Sequence, residues 1–302
     1  MTTVIDAPAT APTPPLSPRS PLGRGLLWTG AVLGALAIVW TALTTVGLIG
    51  SQRAAGSEHH DAAGTVELVA DGDVTVVGAD VDGVDVERRA WFAFRAPVYS
   101  AAAGDDRLVV SYRCQLDWLW ECRSSLDVTV PSGTHVVVRT SDGSVRAREL
   151  VGDVEARSSN GRVEVYDVDG SVHAQSSDGA VDVRLVTGPV EARTSNGSVV
   201  VAGAASVSAR TSDGSVDVMD VEGAVLARSS NGAVLVENAR GDVEATSSNG
   251  AVTVYGTGTP VALDISTSNG RQTVSAPTDP ASDVHVTIRS SNGSVAFLGP
   301  RS

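Results

Sequence analysis

Between Thr140 and Val295 the chain spells Ser/Thr-Ser-Asn/Asp-Gly nine times, and eight of the copies carry Val two residues beyond the glycine. The glycines are Gly143, Gly161, Gly179, Gly197, Gly214, Gly232, Gly250, Gly270 and Gly293. Their spacing is 18 residues, apart from one gap of 17 and final gaps of 20 and 23. A fixed short period restricts the chain to a solenoid, in which each stacked coil touches only its neighbours.

A second corner falls midway through the period, at Gly152, Gly170, Gly188, Gly223 and Gly241, with Ala205 where glycine is missing. Each coil therefore holds two short strands of the form Gly-x-Val-x-apolar, the alternation of a strand with one buried face. Val163, Val181, Val199 and Val216 belong to one column, and Val154, Val172, Val190 and Val207 to another. Two residues after the latter stands an unbroken run of alanines from Ala156 to Ala245. β-Branched Val suits strands that stack like on like. The alanines imply an opposing wall too close for a larger side chain. Glycine is expected to supply positive φ at the sharp corner, and the preceding Asn or Asp to tolerate the left-handed region.

The predicted fold is all-β, a single-stranded parallel β-helix (β-solenoid) of ~18-residue coils over residues 134–300. Eight or nine coils at ~4.8 Å would make a rod about 40 Å long. The residue before the glycine runs Asp142, Asn160, Asp178, Asn196, Asp213, Asn231, Asn249, Asn269, Asn292. Interleaved amides would separate carboxylates that otherwise stack about 5 Å apart, and would donate to them. Arg139, Arg157, Arg193, Arg210, Arg228 and Arg289, three residues before the Asn or Asp, add positive charge beside this ladder; both are read as solvated structural features.

The apolar run is the other strong constraint. No charge occurs from Gly25 to Gln52, so one transmembrane α-helix is expected at 25–50. Arg19 and Arg24 precede it, which places the N-terminus in the cytoplasm and the repeats outside the cell membrane; a cleaved signal peptide is the competing reading. Residues 1–22 hold six of the 13 prolines and read as a disordered cytoplasmic tail. Residues 51–63 read as a juxtamembrane linker, where adjacent His59 and His60 make a poor metal site. Residues 64–133 carry strand-like stretches without the strict period and are expected to form an irregular β cap. Trp91, Phe92, Phe94, Tyr99, Tyr112, Trp118 and Trp120 would be its core.

Cys114 and Cys122 are the two cysteines. Eight residues apart in an oxidising compartment, they are expected to form a disulfide. Trp118 and Trp120, in the loop between them, are candidate ligand-binding residues that could stack on a sugar ring. The chain has no lysine, 22 basic residues that are all arginine, and a net charge of −13, a balance that argues against nucleic acid as a partner. Outward charges (Glu155, Glu191, Glu244; Glu164, Asp182, Asp217) recur with the repeat and do not converge as glycoside chemistry requires. Single glycines replace the Gly-Gly-x-Gly-x-Asp of a calcium roll. Asn196-Gly197-Ser198 and Asn292-Gly293-Ser294 match a glycosylation pattern but are corner motifs. No enzyme activity, cofactor or metal is expected.

The Ser-Asn/Asp-Gly-x-Val-x-Val coils, the Pro131-Ser132-Gly133 turn entering them and Cys114–Cys122 just upstream resemble the bacterial putative-adhesin family of β-strand-repeat domains, over roughly residues 65–300. The resemblance implies a β-solenoid outside the cell, often tethered by one membrane helix, acting as an adhesin or surface interaction module on a cell-wall or other extracellular ligand, or on a partner membrane protein. Some relatives imply the alternative of an accessory regulator or sensor of envelope stress.

Overall fold

The computed structural model describes residues 29–41, 52–93, 95–115 and 122–301, in two units, Met1–Gly50 and Ser51–Ser302. In the first unit residues 29–41 are helical, and every one is exposed. Among the described residues no helix is long and apolar enough to cross a membrane. The remainder of the 25–50 span and the tail 1–22 lie outside the described residues.

The second unit is built from two sheets, of 13 and 12 strands. Eleven coils each give one strand to each sheet, as Val154–Ser158 and Val163–Val168 do. Stacking is parallel and in register: Val163 lies between Val145 and Val181, and Ala174 between Ala156 and Ala192. The inward valines and alanines are fully buried along the stack, each Val contributing roughly 1.5–3 kcal/mol relative to exposure. The alanine column ends at Ala245, whose next partner is Ile288, itself beside Ile265; Ile288 and Phe297 fill that end of the core.

The corner glycines correct one expectation. The first-corner glycines do not have positive φ; close approach of backbones excludes a side chain instead. A Cβ on Gly161 would lie 1.9 Å from the Gly143 carbonyl oxygen, and one on Gly179 would lie 2.0 Å from that of Gly161. The left-handed residues form a different column, just before each first-sheet strand ends: Glu149 (φ 59°), Asp167 (58°), Leu185 (54°), Gly203 (73°), Asp220 (54°) and Asn238 (54°). The partner register skips them, since Tyr166 pairs with Arg184 and Val168 with Val186. They are stacked left-handed kinks, one per coil, that turn the chain without shifting the register. Leu185, half-exposed, is the costliest occupant of such a site. Leu185→Gly is therefore expected to raise stability by about 1 kcal/mol, read as a higher urea midpoint.

Both ends of the stack depart from sequence order. The chain leaves Val252–Tyr255, makes the outermost coil from Ala262–Thr267 and Gln272–Val274, then returns to insert His285–Ser290 and Val295–Leu298 beneath it. This exchange accounts for the gaps of 20 and 23. At the other end, the coil of Thr65–Ala70 and Val74–Ala79 is sandwiched between that of Arg107–Arg113 and Cys122–Pro131 and that of His135–Thr140 and Val145–Leu150. The first and last coils in sequence are thus held on both faces and cannot peel away singly.

The 64–133 segment, expected as an irregular cap, accordingly contains two full coils. It also contributes Gly83–Phe92 and Val98–Ala103, which pair antiparallel at the end of each sheet. The expected linker 51–63 is mostly strand: Gln52–Asp61 pairs antiparallel with Gly83–Phe92 along ten residues. Of the expected cap aromatics, Phe92 and Tyr112 are buried, and Tyr99 packs edge-on to Tyr112. Arg88 lies over the Tyr99 ring and bonds Glu58. Burial, then the Glu58 charge, pushes the Tyr99 hydroxyl up to about 12. His59 bonds Asp85 and His60 bonds Tyr99. Phe94 lies outside the described residues.

Candidate interaction surface

Stacking in register converts each repeat position into a column of neighbouring side chains. At the first corner the Asp/Asn column forms the expected ladder: Asn160 Nδ2 donates to Asp142 (2.5 Å), Asn196 to Asp178, and Asn231 to Asp213 (2.5 Å). Beyond Asn231 the ladder continues amide to amide, through Asn249 and Asn292 to Asn269. Each Asp therefore has an amide donor, which offsets the repulsion of stacked carboxylates.

A second ladder was missed by sequence reasoning. The first residue of the motif is always Ser or Thr, and these hydroxyls are turned inward. Ser229 Oγ donates to the Gly214 carbonyl of the neighbouring coil (2.9 Å) and accepts from its own Gly232 N–H (2.9 Å). The arrangement recurs at Ser158, Ser176, Thr194, Thr211, Ser247, Ser290 and Thr267. The signal was legible: nine positions restricted to the two hydroxyl residues that can be donor and acceptor at once.

The outer face of the second sheet carries two charged columns. One runs Glu67, Val137, Glu155, His173, Glu191, Ser208, Leu226, Glu244, Thr287; the other runs Arg139, Arg157, Gln175, Arg193, Arg210, Arg228, Thr246, Arg289. Arg139 bridges Glu67 and Glu155, and Glu155 also takes Arg157 (2.5 Å). His173 Nδ1 lies 3.0 Å from Glu191, which also pairs with Arg193. A shallow groove of about 990 Å³ follows this face between His135 and His285, with small or apolar Pro189, Ser208, Ala224 and Leu226 at its middle. At its edge the Ser171 hydroxyl and amide hold the Asp153 carboxyl below its ordinary range. On the first sheet, burial raises Asp217, which stands between Val200 and Leu235.

Among the described residues, no group of three or more His, Cys, Asp or Glu is arranged to hold a metal ion. Cys114 and Cys122 are joined in a disulfide, Cα to Cα 6.0 Å. Trp118 and Trp120, the candidate sugar-stacking residues, lie outside the described residues.

No protein-family model matches the chain, and no curated protein does. Solved structures are similar to it. One described as a putative adhesin from Bacteroides fragilis is 12% identical, with a TM-score of 0.42 over 82% of this chain and 97% of its own. Another so described, from Parabacteroides distasonis, is 16% identical at 0.42, over 82% and 97%. One described as a putative cell adhesion protein from Clostridium sporogenes is 10% identical at 0.26, over 82% and 100%. At such scores the likeness carries no argument about binding.

Proposed function

We propose that the chain is an extracytoplasmic interaction module of adhesin type, tethered to the cell membrane by its apolar 25–50 segment, which displays flat, periodic polar faces to an extended partner. The observation that supports this reading is the register. Side chains stack in register at ~4.8 Å through a stack of eleven coils, and chemically similar ones recur in columns, as the corner Asp/Asn and the outer arginines do, a geometry matched to a repeating polymer that gains affinity from many weak contacts. The surface is open, with shallow grooves on the sheet faces. The Cys114–Cys122 disulfide suits an oxidising compartment, and the uncharged 25–52 run suits a membrane anchor.

Deletion of residues 64–301 is expected to reduce attachment of cells to surfaces or to one another while leaving envelope-stress transcription unchanged. The reverse pattern would replace the adhesin reading with that of a stress regulator. Resistance of the full chain to alkaline carbonate extraction from membranes checks the tether; release into the supernatant would remove it.

A further inference from the structure

The arginine column is compensated by carboxylates along most of its length, but not in the middle. Arg139 and Arg157 share Glu67 and Glu155, and Arg289 pairs with Asp264 (2.5 Å). Arg193, Arg210 and Arg228 stand in register on three successive strands, so their backbones are spaced at ~4.8 Å. Arg193 takes Glu191 and Arg228 takes Glu244 (2.6 Å). The two positions between those glutamates hold Ser208 and Leu226. Arg210 consequently has no ion pair among the described residues. The Nε atoms of both Arg193 and Arg210 are shut away from water without a hydrogen-bond partner. A groove of about 460 Å³ is lined by Arg193, Arg210 and Arg228 together with Ser195, Ser212 and Ser230.

Three guanidiniums facing two carboxylates leave one positive charge in excess, beside hydroxyl donors. We propose that this groove is an oxyanion site, with Arg210 at its centre flanked by Arg193 and Arg228, and that its ligand is phosphate carried on a linear polymer. Guanidinium forks on three strands, with serines in the corners that follow them, suit an oxyanion with more than the two oxygens of a carboxylate. A polymer with regularly spaced phosphates could then run along the Arg and Ser columns. The chain's net charge of −13 opposes the approach of anions, but at physiological salt charges beyond about 8 Å are largely screened, so the local arginines decide. The proposal names the partner chemistry of the display face and, in its polymer part, rests on that reading.

The test is calorimetric titration of the purified full chain with inorganic phosphate and, separately, with linear polyphosphate. Both are expected to bind, the polymer more tightly, and Arg210→Gln is expected to weaken binding by about tenfold. Gln is tolerated in this column, where Gln175 already stands, so loss of folding is not the expected cause. Arg210→Lys should retain part of the affinity. Arg184→Gln, which breaks the pair with Asp182 on the other sheet, should leave binding unchanged. Absence of binding by both anions, or equal binding by native chain and Arg210→Gln, overturns the site. Orthophosphate binding with no gain for the polymer overturns the polymer ligand and leaves a free-phosphate site. Cell attachment that survives Arg210→Gln but is lost on deletion of the repeats overturns this ligand while leaving the adhesin reading standing.

Discussion

Alanine at Gly214 is expected to break the stack at its centre, with a loss of about 4–5 kcal/mol or failure of the repeats to fold. The added Cβ would lie 1.8 Å from the carbonyl oxygen of Gly197 and 2.4 Å from its carbon. Both are backbone atoms, so no side chain can rotate aside. Moving the coils apart would stretch the hydrogen bonds on either side, including Val199 N–H to the Ser215 carbonyl (2.9 Å) and Val216 N–H to that of Ala233 (2.9 Å). Since stacked coils are coupled chiefly to their neighbours, a fault at the middle deprives both halves of one interface. Gly133→Ala is the control. Its Cβ would meet only the Val151 carbonyl oxygen, at 3.9 Å, an ordinary contact, and a change within about 0.5 kcal/mol is expected. Urea midpoints of the two variants measure the contrast; equal midpoints would show that the corners are not close-packed in solution.

The same glycines show what was readable in the sequence and what was not. Their period and the valine and alanine columns follow from side chains that must meet their own kind in the next coil, so a pattern in one dimension suffices. The reason for each glycine does not follow, because a positive φ and a neighbouring carbonyl select the same residue. The second corner is the natural comparison: Ala205 occupies it once, and a Cβ on Gly223 would stand 2.7 Å from the Ala205 carbonyl oxygen, looser than any first-corner approach. The true left-handed column leaned toward Asp, Asn and Gly, but Glu149 and Leu185 obscured it. Coil order at the ends was hidden for a different reason. Parallel register is local, and the 20- and 23-residue gaps signal a detour without saying which coil is passed. Gln52–Asp61 was read as a linker because it joins the sheet largely through its backbone and leaves no apolar alternation.

For the candidate oxyanion groove, the arginine column and the replacement of glutamate by Ser208 and Leu226 were both legible. Their consequence needed register: only coordinates place those two residues beside Arg210 and remove water from its Nε. The stripe first read as one solvated ladder is therefore two kinds of surface, neutralised toward both ends of the column and cationic across three coils at its middle.

The hydroxyl ladder carries the second large expectation. Ser247 is buried, and its Oγ donates to the Gly232 carbonyl and accepts from the Gly250 N–H, each at 2.9 Å. In Ser247→Ala the methyl fits the same space, so no cavity or overpacking term enters. What remains is one carbonyl and one amide at a corner where water has little room. At roughly 1–3 kcal/mol for each orphaned buried group, the expected loss is about 2–4 kcal/mol. Ser247→Thr should recover nearly all of it, because Thr194 and Thr211 already make the same pair of bonds. Ser248→Ala, one residue on, removes an outward hydroxyl and should be close to neutral. Hydrogen exchange at the Gly250 amide separates this cause from a general loosening. Selective loss of protection there, ahead of Val252, identifies the hydroxyl as its shield, whereas uniform loss across the coil would mean that the ladder merely follows the packing.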